Sequence, residues 1–406
     1  MIFFDRNARN RYDNGIKDGV NHVKKILALI LCFAFLPGLS RGAASAGEEP
    51  EVFAFEEWQY ILREDGTAEI TRYSGTEAGV AVPEELDGKR ITGIGDNAFS
   101  FCNTFTRVII PDSVTDVGNN PFLLCQNLTE ILVSPGHPTL EMAGGALISR
   151  PDQRLVCCLC ASAAASCTIP EGVRTIGDYA FSGCRFLTSV VIPDGVAEIG
   201  KGAFLDCLSL ADITIPDSVT SIGDDAFNGC QALTSITLSD RVTNLGDNPF
   251  GRCSAEIILS AGHPCLEMTD GALISRADRR LICYTGGSTE GTYRVPEGVQ
   301  VIGNEAFISC GSLTGITIPD SVTSIGNSAF AQCRSLADIT IPDSVTSIGE
   351  YAFYDSRSLK NVEIPDTVSS IGEFAFFGCE ALTVTVSRDS YAKKYCDTNR
   401  IRYRFP

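Results

Sequence analysis

A unit of the form I-P-D-S-V-T-S-I-G-D-x-A-F-x-G-C-x-x-L-T-x-I-T returns every 23 residues along this chain. That period constrains the fold more than any other feature, because a unit this short cannot bury its apolar face until a neighbour stacks on it. Phenylalanines mark the coils: Phe99 and Phe122, then Phe181, Phe204, Phe227 and Phe250, then Phe307, Phe330, Phe353 and Phe376. Each has a glycine four residues before it, from Gly95 and Gly118 to Gly349 and Gly372, so ten coils are legible.

Within one coil, Leu233 to Leu238 alternates apolar and polar residues like a strand with one buried face. Pro216 or its equivalent, lacking an amide hydrogen, closes that strand. Val219 and Ile222 then point back inward, and Gly223 permits a turn where a side chain would crowd. Asp224-Asp225-Ala226-Phe227 reads as the opening of a short helical turn, with acidic residues where the helix dipole favours them. With 44% apolar residues the chain has enough hydrophobic surface for a core, and Phe227 is expected in the middle of it.

The I-P-x-x-V-x-x-I-G-x-x-A-F-x-x-C-x-x-L unit, running from about Pro83 to Val386, resembles the BspA-like class of bacterial leucine-rich-repeat proteins. The resemblance implies a right-handed solenoid of short parallel strands and short helical turns, mainly β, in a secreted or cell-surface protein that binds other proteins. The chain departs from the commoner L-x-x-L-x-L-x-x-N repeat in lacking an asparagine ladder, so its tight loops must be closed in another way.

Two interruptions break the array, and each is a copy of the other. Both open on G-H-P, at Gly136-His137-Pro138 and Gly262-His263-Pro264, pass through Gly-Ala-Leu-Ile-Ser-Arg, and return at Pro170 and Pro296. Phe122 and Phe181 are 59 residues apart and Phe250 and Phe307 are 57, which leaves 13 and 11 residues beyond two periods. Each reads as a β-hairpin bulging from the solenoid, the first with Gly145 to Ile148 and Arg154 to Leu159 as strands and Pro151-Asp152-Gln153 as the turn. The expected division is a signal peptide over 1–46, an N-terminal hairpin cap over 47–82 turning at Asp65-Gly66, and a solenoid over 83–386. Hairpin insertions fall at about 134–168 and 260–294, and a helix-and-strand cap occupies 387–406.

Lys24 and Lys25 precede an apolar run from Ile26 to Leu39, and Ala44-Ser45-Ala46 supplies a small-residue cleavage pattern, so export with a mature start at Gly47 is expected. The run is short for a membrane span, which needs about 20 residues, so no span is expected in the mature chain. Removing residues 1–46, with seven Lys/Arg and three Asp/Glu, takes the formal charge from −18 to −22. A chain this acidic offers no basic stripe for nucleic acid.

Seventeen cysteines invite a disulfide or metal reading. Nine of them, Cys102, Cys125, Cys184, Cys207, Cys230, Cys253, Cys310, Cys333 and Cys379, share one repeat position three after the Phe, and Ser356 fills it in one coil. They are expected to form a core ladder of buried free thiols. Cys157-Cys158-Leu159-Cys160 lacks the paired spacing of structural zinc sites, so no metal is expected, and a Cys160–Cys167 bridge is the one disulfide the local spacing offers. Cys32 and His22 leave with the signal. The two remaining histidines, His137 and His263, sit in the G-H-P turns. Cys265 lies two after His263, but Thr139 stands there in the first copy, so a Cys-His nucleophile would serve one copy only. No catalytic residue, metal or cofactor is expected.

The remaining surface is the outward side of the strands, where a hydroxyl-rich stripe flanks the buried aliphatic residues. It comprises Arg107, Glu130, Ser189, Asp212, Thr214, Ser235 and Thr237, then Thr317, Asp338, Thr340, Asn361 and Glu363 after the second insertion. Ten strands at about 4.7 Å would make a continuous face roughly 45 Å long, suited to an extracellular protein or glycan. A non-enzymatic binding or adhesion role follows, with a structural envelope spacer as the alternative and a secreted hydrolase or thiol enzyme as a remote one.

Overall fold

Each unit winds once around the solenoid through two short strands and a run of turns. In one coil the strands are Asp212–Thr214 and Ser221–Ile222, followed by turns through Phe227. The computed structural model describes residues 50–159, 165–286 and 291–406. The signal peptide expected over 1–46 lies outside them, with Cys32 and His22, and so does Cys160.

Successive coils pair in parallel and in register, so equivalent residues of neighbouring repeats lie side by side, as Ile199 does against Ile222. The wall of turns is laddered as well. In the coil of Phe227, the amides of Asp225, Phe227 and Gly229 donate to Asp247, Pro249 and Gly251 in the next coil at 3.0, 2.7 and 2.8 Å. This geometry replaces the expected helical turns. Residues two before and two after the Phe take left-handed conformations, as Asp225 (φ 55°) and Asp206 (φ 56°) do, and a right-handed helix cannot pass through them.

In about half of the coils the residue after the repeat glycine closes the loop that an asparagine ladder would close. The side chains of Asp178, Asp224, Asn304 and Asn327 each accept the amide 23 residues on, all at 2.8 Å. Gly223 has to be glycine for this close stacking, since a Cβ there would stand 2.6 Å from the backbone nitrogen of Lys201.

All ten marker phenylalanines are buried, at most 5% exposed, and they stack at the strand spacing within each of three runs, Phe99 to Phe122, Phe181 to Phe250 and Phe307 to Phe376. Phe181–Phe204, Phe330–Phe353 and Phe353–Phe376 have ring centroids 4.9, 5.3 and 5.1 Å apart. The cysteine ladder beside them is more than apolar filling. Cys125, Cys207, Cys230, Cys333 and Cys379 point their sulfurs at the Phe carbonyl of the preceding coil at 2.9 to 3.2 Å. Ser356 donates its hydroxyl to Phe330 in the same way at 2.8 Å, which is why serine substitutes there. Burial pushes the thiols up, Cys125, Cys310 and Cys379 each to about 12 and Cys253 to about 11, so they stay protonated and able to donate. One expectation fails, since Cys184 is disulfide-bonded and not a free thiol; Cys167 is free, so the bridge that the local spacing offered it is not made.

The insertions do not bulge outward. The first is a three-stranded antiparallel meander, Leu140–Ala143, Ala146–Ser149 and Arg154–Cys158, whose last strand pairs in parallel with Thr175–Ile176. The second repeats it with Leu266–Thr269, Ala272–Ser275 and Arg280–Tyr284 against Val301–Ile302. Each therefore extends the second wall into a seven-stranded sheet. Their middle strands are covered on both faces: Leu147 and Cys157 join the core on the N-terminal side, while Ala146, Ile148 and Leu155 join the next. Leu273 and Cys283 face one core and Ala272, Ile274 and Leu281 the other. The interior is thus three core segments divided by two septa.

At the N-terminal end Val52–Phe55, Trp58–Leu62 and Ala68–Tyr73 form an antiparallel meander, with Trp58, Tyr60 and Tyr73 covering the first core segment. At the C-terminal end the helix Tyr391–Asn399, capped by Ser390, buries Ala392 and Cys396, and Tyr403–Arg404 adds a last strand. Among the described residues no helix is long and apolar enough to cross a membrane.

Candidate functional site

The strand wall exposes the residues that flank each buried aliphatic. Ile213, Ile316, Ile339 and Val362 point inward, while Asp212, Thr214, Thr317, Asp338, Thr340, Asn361 and Glu363 are exposed. Arg107, Ser235 and Thr237 are also exposed, and Glu130 and Ser189 half-buried. In-register pairing turns these residues into two rows: Gly315, Asp338, Asn361 and Thr383 in one, Thr317, Thr340, Glu363 and Thr385 in the other. On the first strands Arg107 and Glu130 pair at 2.5 Å, a solvent-exposed contact worth about 0 to 1 kcal/mol.

The expected unbroken face of ten coils is in fact four pieces. Three strands precede the first septum, ending at Glu130–Leu132; Ser166–Thr168 to Asp212–Thr214 makes three more; Ser235–Leu238 and Glu256–Leu259 pair alone; six run from Thr292–Arg294 to Tyr403–Arg404. The septa account for two of the breaks, since each meander follows directly on a face strand. At the third, Asp212–Thr214 and Ser235–Leu238 stay adjacent without ladder pairing. The longest continuous surface is therefore the C-terminal six strands, about 24 Å across.

The two halves also differ in chemistry. The N-terminal pieces expose Ile109, Leu132, Val191 and Ile258 on the second row, where the C-terminal sheet carries Thr317, Thr340 and Glu363. Sequence reasoning also missed an aromatic tile on the turn wall of the last two coils. Tyr351 stacks on Phe374 and Tyr354 on Phe377, with centroids 5.4 and 5.8 Å apart. The tile borders a cleft of about 350 Å³ closed by Tyr395, Arg400 and Arg402. The signal was present in four aromatics at two repeat positions that carry Asp225, Asn228, Asn248 and Gly251 four coils earlier.

Both histidines are buried staples. His137 Nδ1 accepts the amides of Thr139 and Leu140 at 3.3 and 3.0 Å, and its Nε2 faces the Pro111 carbonyl at 3.2 Å. His263 repeats this with Cys265, Leu266 and Ser239 at 3.3, 3.1 and 3.1 Å. With both ring nitrogens bound to backbone, His263 has no lone pair left to take a proton from the Cys265 thiol. Among the described residues no group of three or more His, Cys, Asp or Glu is placed to hold a metal ion.

Comparison with known proteins gives the same architecture. The chain resembles a leucine rich cell surface protein from Faecalibacterium prausnitzii A2-165, with 28% identity and a TM-score of 0.51 over 88% of this chain and 95% of that one. It also matches the pneumococcal vaccine antigen PcpA, with 18% identity and a TM-score of 0.47 over 84% and 82%. A leucine-rich repeat protein from Bacteroides ovatus matches with 23% identity and a TM-score of 0.36 over 87% and 99%. No curated protein matches the sequence. The profile of the BspA type leucine rich repeat region matches residues 86–142, 157–261 and 291–396 in six copies, well over half of the sequence. The chain belongs to the BspA-type leucine-rich-repeat family.

Proposed function

We propose that this protein is an extracellular, non-enzymatic binding scaffold that docks a protein or glycan on its strand wall, chiefly on the C-terminal six-stranded sheet. The observation that carries the reading is the pair of exposed in-register rows there, with Asp338 and Asn361 in one and Thr317, Thr340 and Glu363 in the other. Such rows repeat hydrogen-bonding groups at a fixed spacing over a rigid surface, which suits an extended partner better than a small molecule held in a deep pocket. The export signal read over 1–46 and the similarity to a cell surface protein support an extracellular setting.

Surface-immobilised protein starting at Gly47 is to be tested against extracellular matrix proteins and bacterial surface glycans. A partner of this face loses at least about tenfold in affinity, roughly 1.4 kcal/mol, when Asp338→Arg, Asn361→Arg and Glu363→Arg are combined. Unchanged binding by that variant moves the site off the C-terminal sheet. The spacer reading draws on the two outermost strands, Val52–Phe55 and Tyr403–Arg404, each paired on one side only. Ordered oligomers in light scattering without any foreign partner favour it.

A further inference from the structure

The two septa superpose in sequence on an offset of 126 residues, which carries Gly136 to Gly262, Cys157 to Cys283 and Pro170 to Pro296. The same offset carries Cys158 to Tyr284 and Cys167 to Tyr293. In the second septum those two rings touch, with centroids 4.3 Å apart. The fold thus brings these two positions close together, and in the first septum they hold two thiols, with Cys158 packed against the core that contains Cys167.

Backbone on both sides fixes the pair. Cys158 ends the strand Arg154–Cys158, pairs with Ala146, and donates its amide to the Ala180 carbonyl at 2.8 Å. Cys167 is the middle residue of Ser166–Thr168 and lies in register with Val190. Cys158 is partly exposed and Cys167 buried. The contact splits their acidities: the hydrogen bond from Cys158 holds Cys167 below the usual thiol range, while Cys158 is pushed up by that same bond and by burial. A thiolate in this pair is the form that attacks disulfides.

We propose that Cys158 and Cys167 form an oxidation site, a dithiol that small-molecule disulfides close into a bond stapling the first septum to the strand wall. The Cys167 thiolate attacks one sulfur of the small disulfide RS–SR, giving Cys167–S–SR and releasing RS⁻. Cys158 then gives up its proton and attacks Cys167 Sγ, expelling the second RS⁻. Two protein thiols lose two electrons and two protons, and the small disulfide leaves as two molecules of RSH. The second septum, with Tyr284 and Tyr293, cannot do this.

The test uses the full chain, incubated with oxidised glutathione and then blocked with N-ethylmaleimide. Cleavage with trypsin and with chymotrypsin, which cuts after Leu159, separates Cys158 from Cys167 unless a bond joins them. A Cys158–Cys167 cross-link in the peptide map is the expected result. In Cys158→Ser the reaction is expected to stop at a glutathione adduct on Cys167, because the resolving thiol is gone. Recovery of both residues as maleimide adducts from the oxidised wild type overturns the proposal, and so does a bond from Cys167 to any other cysteine. The wild-type map decides the question even if the variant does not fold.

Discussion

The two septa share a backbone and differ in their fittings. Each is a three-stranded meander closed by a buried histidine and joined to the head of a seven-stranded sheet. In both, the middle strand packs a core on either side. Yet the first places two thiols at its base and leads into a broken strand wall, while the second places two tyrosines there and leads into the six-stranded sheet. The shared parts are those that hold the coil together, and what varies is the pair of side chains at the base and the sheet that follows.

If both septa are partitions, truncating their central residue costs the same in each. Leu147 and Leu273 are both fully buried at equivalent positions. Leu147→Ala and Leu273→Ala are each expected to lower stability by about 2 to 5 kcal/mol, the range for a leucine deleted from a packed core. Urea unfolding measures it. A cost below about 1 kcal/mol in either would mean that its meander stands off the solenoid as a projecting hairpin.

The coil junctions that cross the septa differ as well. At the first, Asn120 Nδ2 donates to the Tyr179 carbonyl at 2.6 Å; at the second, Asn248 Nδ2 donates to the Glu305 carbonyl at 2.8 Å. The second junction therefore encloses a carboxylic acid where the first has a phenol. Glu305 Oε2 has no hydrogen-bond partner. The side chain faces Asp225, itself buried, together with Asp247, Lys201 and Arg252. Burial is the main cause that raises Glu305 to about 7, with Asp247 adding to it. A free glutamate titrates near 4.3, so between about 4.3 and 7 the unfolded chain releases this proton while the folded chain keeps it. Stability contributed below that window is lost as pH rises through it. Glu305→Gln keeps the neutral form at every pH. The variant is expected to match wild type within about 0.5 kcal/mol at pH 4 and to exceed it by roughly 3 to 4 kcal/mol at pH 8. Equal stability at both pH values would show that Glu305 is ionised in the folded protein.

Period and composition made the coil legible because the constraint behind them is local: every unit needs a Phe in its centre, a Gly where coils touch and a strand that alternates. The ladders were harder to see. Cys207 and Ser356 share a position because each donates to a carbonyl 26 residues earlier, and nothing in the spacing alone separates that from apolar packing. The septa were misread because a hairpin pattern looks the same whether it projects or inserts. The corrective signal was the unbroken apolar run Leu155-Val156-Cys157, which alternation on a half-buried strand does not produce. The strand wall's outward residues followed from alternation, whereas its division into four sheets depends on ladder pairing between strands far apart in sequence.

The smallest expected effect separates the tyrosine pair from the thiol pair. Tyr293 buries its hydroxyl without a hydrogen-bond partner, while Tyr395 accepts the Ala375 amide at 3.1 Å on its own hydroxyl. An unpaired buried hydroxyl costs its desolvation and returns nothing, so Tyr293→Phe is expected to leave stability unchanged or raise it by up to about 1 kcal/mol. Tyr395→Phe leaves an amide unpaired and is expected to cost about 1 kcal/mol. Thermal unfolding of the two variants side by side reads the difference in sign. If Tyr293→Phe destabilises as much as Tyr395→Phe, the Tyr293 hydroxyl has a partner, and the second septum is held at its base by a polar contact.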